Sequence, residues 1–208
     1  MTALSVPTTD VSERAMSYDP CRVFRKLARN NRLANIRLHT ACGLLSQEEF
    51  VAPRTSFFST IRATLNHIYL VDLFYLDALK GGTLGYAAFA QEEPFGDIPA
   101  LRDEQAQLDE DLIAFVDMLK PDDLAATVRV HRAERIQQDR CDDILTHLFQ
   151  HQTHHRGQVH AMLSGTSVKP PQLDEFIVGD DAGVRKVELD ALGWSERDLM
   201  FPEDKTYD

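Results

Sequence analysis

Five of the eight histidines in this 208-residue chain fall in one short run, THLFQHQTHHRGQVH, at positions His147, His151, His154, His155 and His160. A neutral imidazole nitrogen binds divalent transition metals, and side chains four residues apart on a helix are neighbours, so two histidines at that spacing can reach one ion. His147/His151 and His151/His155 both qualify. We projected the helix at about 100° per residue and averaged the directions of Cys141, Ile144, Leu145, Leu148, Phe149, Val159, Met162 and Leu163 to define its apolar axis. His155 lies within roughly 40° of that axis and His151 about 80° away, at its rim, whereas His147 and His154 point about 120° and 140° away. The inward pair is therefore His151 and His155.

A catalytic zinc-type site uses three protein ligands and keeps one position open. His67 is the best third ligand, because it sits mid-helix among Ala63, Leu70, Val71 and Phe74, where an imidazole loses water and needs a partner. The competing interpretations are a His67 that merely hydrogen-bonds a core group, and a metal-free His151/His155 pair. His39 and His131 have no partner at ligand spacing and are assigned as surface or structural residues. His147 and His154 are expected to be exposed or at a subunit contact, and His160 receives no role. Arg156 and Gln158 could orient groups near the site, a solvated, salt-bridged Arg156 being the ordinary alternative.

Other chemistries find less support. The chain has no HExxH, no GxSxG and no Glu-x-x-His pair of the kind di-metal carboxylate bundles use, so acidic pairs such as Asp122-Asp123 are expected as helix ends and caps. Cys21, Cys42 and Cys141 are odd in number and widely spaced, which suggests neither a disulfide framework nor a thiolate zinc site.

The elements that must position these histidines are helical. Apolar periodicity predicts a first helix from Asp19-Pro20 to about Gly43, a second from about Ser56 to Leu79 closed by Gly81-Gly82, a third from about Pro99 to Leu119, and a fourth from about Asp142 to Leu163. The second is apolar on more than one side, as a central or interface helix would be. Arg22, Arg25, Lys26, Arg29 and Arg32 recur along the first helix and are expected on its solvated face. Between Thr127 and Arg140 the periodicity breaks; Thr127 to Val130 alternates as an extended piece would, and the stretch is assigned as an irregular crossover. The expected fold is all-α, a four-helix bundle with a long crossover connection and a short C-terminal helical extension. Residues 1–17 are assigned to a flexible N-terminal arm, 18–178 to the bundle and 179–208 to the extension.

With 33 acidic against 22 basic residues the net charge is -11, which disfavours nucleic acid and anionic membrane as partners. The N-terminal residues lack the basic start and apolar run of a signal peptide, and no stretch reaches the roughly 18–20 apolar residues of a membrane span. A cytoplasmic location is expected.

The run His151-Gln-Thr-His-His-Arg-Gly-Gln158, together with Leu65-Asn-His-Ile68 and Asn30-Asn-Arg-Leu-Ala-Asn35, resembles the DinB family over about residues 20 to 177. That resemblance implies a four-helix bundle with a long crossover, a homodimer, and one divalent ion, nickel or zinc, held by one histidine of the second helix and an HxxxH pair of the fourth. Those positions are His67, His151 and His155, the same three reached by projection. The wider superfamily includes transferases and isomerases that use low-molecular-weight thiols. Tyr75 stands in the region where the family often shows Trp, and the tail beyond about residue 178 exceeds the family core, so the substrate does not carry over. The leading expectation is a metal-dependent enzyme, a thiol-dependent transferase or a hydrolase acting on a small molecule, in which the ion activates water or a thiol. Its rival is a non-catalytic metal-binding or stress-related dimer. No general acid or base is identified.

Overall fold

The computed structural model describes residues 19–202; the expected N-terminal arm and the end of the expected C-terminal extension lie outside the described residues. Four long helices dominate: α1 (Arg22–Cys42), α3 (Ile61–Leu79), α4 (Ile98–Met118) and α5 (Cys141–Leu163). A short α2 (Gln47–Val51) lies between α1 and α3, and α6 (Lys186–Leu192) and α7 (Glu196–Met200) follow α5. An antiparallel hairpin, β1 (Thr127–His131) and β2 (Ile136–Arg140), joins α4 to α5, with Thr127 opposite Arg140 and His131 opposite Ile136. The chain is mostly helical, and this hairpin departs from the all-α expectation.

Local chemistry sets several boundaries. Thr60, in extended conformation, accepts a hydrogen bond from the Ala63 N–H and starts α3 at Ile61, later than the apolar pattern suggests. Asp97 caps α4 in the same way, followed by Pro99 in the first turn. Ser46 and Glu49 form a reciprocal capping box that nucleates α2, an element too short to show periodicity. Gly81, at φ 79°, supplies the left-handed backbone that ends α3.

The four helices share two apolar clusters. One unites the first turns of α1 and α5 with the last turns of α3 and α4, through Phe24, Leu76, Val116 and Leu145. The other unites the last turns of α1 and α5 with the first turns of α3 and α4, through Leu38, Leu65, Leu101 and Met162. Thus α1 and α5 run one way, α3 and α4 the other. The connection that must travel the length of the molecule is therefore 80–97, between α3 and α4, and not the segment 127–140. That segment returns at one end as the hairpin, with Val128 and Val130 buried against the core and β2 burying no large apolar side chain.

Between the apolar clusters lies a buried polar layer drawn from all four helices: Asn31 and Asn35 of α1, Asp72 of α3, Gln105 and Asp109 of α4, and Gln152 and Arg156 of α5. Asn35 Nδ2 donates to both Asp109 oxygens at 3.0 Å, Gln105 Nε2 donates to Asp72 at 2.9 Å and to Asp109 at 3.1 Å, and Gln152 Nε2 also donates to Asp72. Arg156 donates to Asn31, to Asn35 at 3.1 Å and to Gln152 at 3.2 Å, so it is a buried tie between helices and not a solvated residue. Burial, aided by the negative charge of Asp109, pushes the Asp72 carboxyl well above its ordinary range. Asp72 Oδ1 and Gln105 Oε1 have no hydrogen-bond partner. A proton on Asp72 converts one surplus acceptor into a donor.

The cations of α1 are not a solvated face. Arg29 is fully buried and makes a two-pronged pair with Asp117 of α4 at 2.7 Å, Arg32 donates to Glu110 at 3.0 Å, and Lys26 donates to the Ile177 carbonyl at 3.0 Å. Segments after α5 cover another part of α1: Phe176, Leu189 and Leu199 pack on Leu33 and Ala34. Leu70 and Phe74 of α3 are buried within the chain itself, so the wide apolar surface of this helix does not require a second copy to cover it.

Candidate metal centre

α3 and α5 pack side by side, and their contact brings His67, His151 and His155 together. One ligand nitrogen from each lies within 4.8 Å of the others. His67 Nε2 faces His151 Nε2 at 3.0 Å, and the ring centroids of His151 and His155 are 4.3 Å apart. Two nitrogens bound tetrahedrally at about 2.0–2.1 Å from one ion are roughly 3.3–3.4 Å apart, so the closest pair is within a few tenths of an ångström of that edge. Rotation of the third ring can close the remaining gap.

The protonation states suit a cation. Burial, and then the nearby His155, push His67 down to about 4; burial and the surrounding histidines push His151 down to about 3. His155, only 7% exposed, is lowered by burial, against the opposing effect of its bond to Gln158. All three rings are thus neutral near pH 7, the form that coordinates metal. His155 Nδ1 lies 2.7 Å from Gln158 Oε1, and Gln158 Nε2 lies 3.1 Å from His154 Nε2. An amide oxygen can only accept, so His155 carries its proton on Nδ1 and keeps Nε2 as a lone-pair donor. His151 Nδ1 is buried without a hydrogen-bond partner. With one nitrogen directed at His67 and the other unsatisfied, this ring has no complete set of protein partners, which fits a place in an ion's coordination shell.

Phe58, in the segment before α3, packs against the histidines, its ring 4.3 Å from His67 and 5.7 Å from His155. Beside them opens a cleft of about 520 Å³, bordered by His67, His151 and His147 and walled by Phe58, Leu70, Phe74, Tyr75 and Phe89. His147 is exposed and 6.1 Å, ring to ring, from His151. His154 is exposed beside Gln158, and His160 is half-buried. His39 is buried, and burial pushes it down to about 4, so of the two roles left open for it the structural one applies. His131 is half-buried at the hairpin; a Cβ at Gly85 would come within 2.6 Å of its Cβ, so glycine permits the close approach of the two segments.

Sequence reasoning did not identify Phe58, Arg132 or the polar layer. The layer had a signal: Asp72 stands alone in the apolar run Leu70-Val-Asp-Leu-Phe74, and a lone acid on a buried helix needs partners. Phe58 and Arg132 lie outside the four long helices and had none.

The sequence model of the DinB family matches residues 16–182, most of the chain. The chain belongs to the DinB family. It is 27% identical over 144 residues to Protein DinB of Bacillus subtilis (strain 168), which covers 66% of this chain and 83% of that protein. A DinB-like protein from Bacillus cereus ATCC 10987, known from its crystal structure, superposes with a TM-score of 0.53 at 15% identity, covering 67% of this chain and 89% of that one, a likeness of fold. Both DinB matches leave about a third of this chain uncovered. Among the described residues no helix is long and apolar enough to cross a membrane.

Proposed function

We propose that this chain is a metal-dependent enzyme of the DinB family that holds one divalent ion, nickel or zinc, through His67, His151 and His155 at the wall of a four-helix bundle. One observation carries this: three neutral imidazoles from two helices converge at the edge of a cleft large enough for a small molecule. A bound ion supplies Lewis acidity, which polarises an electrophile and activates water or a thiol at neutral pH. The chain's own residues do the rest. Gln158 orients His155, Phe58 packs against the His67 ring at the cleft, and the aromatic walls hold an apolar substrate.

An open cleft beside the histidines favours turnover over a purely structural ion, whose shell the protein would close. A low-molecular-weight thiol as co-substrate, and a homodimer, rest on the family resemblance. Three buried, unpaired cysteines support a cytoplasmic setting. Elemental analysis of untagged protein followed by calorimetric metal titration tests the site: one ion per chain is expected, and a chain that takes up none, or binds equally well without His155, refutes it. A thiol-transfer screen of the loaded protein then tests turnover.

A further inference from the structure

Arg132, at the turn of the hairpin, reaches over the cleft that the metal-site proposal assigns to substrate. Its Nε donates to Gln137 Oε1 at 2.8 Å, one Nη donates to the Tyr75 hydroxyl at 3.1 Å, and its guanidinium carbon lies 4.8 Å from the centre of the Phe74 ring. These contacts hold the guanidinium in place while using only two of its five N–H groups. Arg29, Arg32, Arg37 and Arg185 each pair with a carboxylate, but among the described residues no carboxylate pairs with Arg132. In a chain of net charge -11, an oriented cation without an acid partner, set in an aromatic-walled cleft, is a receptor for an anion.

We propose that the cleft binds a molecule with an apolar, aromatic body and a single carboxylate, and that Arg132 receives the carboxylate while the body extends toward His151. The walls supply apolar surface, and Tyr75 links the two ends, bonding Arg132 through its hydroxyl while its ring lies 5.2 Å from that of His147, which neighbours His151. Glu92 and Glu93 border the same cleft, Glu93 already paired with Arg62, and their charge opposes a dianionic head such as a phosphate more than a single carboxylate.

The test titrates the zinc-loaded full-length protein with 3-phenylpropionate, its primary amide and 2-phenylethylphosphonate by calorimetry. The acid should bind at least about tenfold more tightly than the amide, as a charge-assisted contact worth one decade requires, and more tightly than the phosphonate. Arg132→Gln should erase the preference for the acid, Arg132→Lys should keep part of it, and Arg135→Gln, at an exposed position of the same turn, should leave it intact, each variant first shown to be folded by circular dichroism. Equal affinity for acid and amide, a preference that survives Arg132→Gln, or tighter binding of the phosphonate overturns the proposal. Repeating the titration after metal removal separates the two proposals. A preference that vanishes with the ion assigns the carboxylate to the metal and defeats the Arg132 assignment alone, whereas a chain that takes up no ion but keeps an Arg132-dependent preference defeats the metal site alone.

Discussion

Replacing Gln158 by alanine isolates what one supporting residue contributes to the proposed metal site. Gln158 is not one of the three proposed ligands; its Oε1 lies 2.7 Å from His155 Nδ1 and its Nε2 3.1 Å from His154 Nε2, so it fixes which nitrogen of His155 is free to coordinate. Without it, the imidazole divides between tautomers, the ring loses an orienting contact, and its lone pair becomes less basic. Groups that hold a ligand histidine in this way are typically worth 10–100-fold in metal affinity, or about 1.4–2.7 kcal/mol. Gln158 is half-buried, outside both apolar clusters, so stability should change by no more than about 0.5 kcal/mol. Zinc affinity would be measured by competition with a chromophoric chelator, and stability by urea unfolding of the metal-free protein. Gln158→Glu, which keeps an acceptor and adds charge, should bind zinc at least as tightly as the parent. His154→Ala should have little effect, because the Gln158–His155 bond survives. Unchanged affinity in Gln158→Ala would refute the tautomer argument, and a loss of affinity matched by unfolding would show that the residue acts through the fold.

His67→Ala and His155→Ala should each abolish stoichiometric metal binding in calorimetry. In metal-free protein, stability should be full above about pH 6.5, where free histidine loses its proton, and should fall as pH drops through the interval to about 4 and about 3, where His67 and His151 titrate in the fold. The sign follows because the unfolded chain binds more protons there than the folded one, and His151→Ala should flatten the fall in urea midpoint. Arg156→Met, which strips the cation from a buried polar layer, should cost about 3–5 kcal/mol in urea unfolding. Asp72→Asn should cost much less, because the amide mimics the protonated acid that burial favours; a larger loss than in Arg156→Met would mean that Asp72 is ionised in the fold.

The helix period alone singled out His151 and His155 from five crowded histidines, because the angle between residues on a helix is a property of the backbone and does not depend on what packs against it. The same local logic placed the four long helices to within a few residues, since caps such as Asp97 and terminators such as Gly81 act on their own turns. It failed where the decisive partner was distant in the chain. The cations of α1 looked solvated because Asp117 and Glu110, which neutralise two of them, lie on α4, and Arg156 looked solvated because Asn31 and Asn35 reach it from α1. β2 was invisible because a strand that buries no large apolar side chain has no alternation to detect. His67 could be nominated from its apolar surroundings, but its approach to His151, 84 positions away, depends on the register between α3 and α5. Periodicity reports which face of a helix turns inward; which inward faces meet, and at what height, is set by packing among all four helices, and the three-histidine cluster and its cleft exist only at that level.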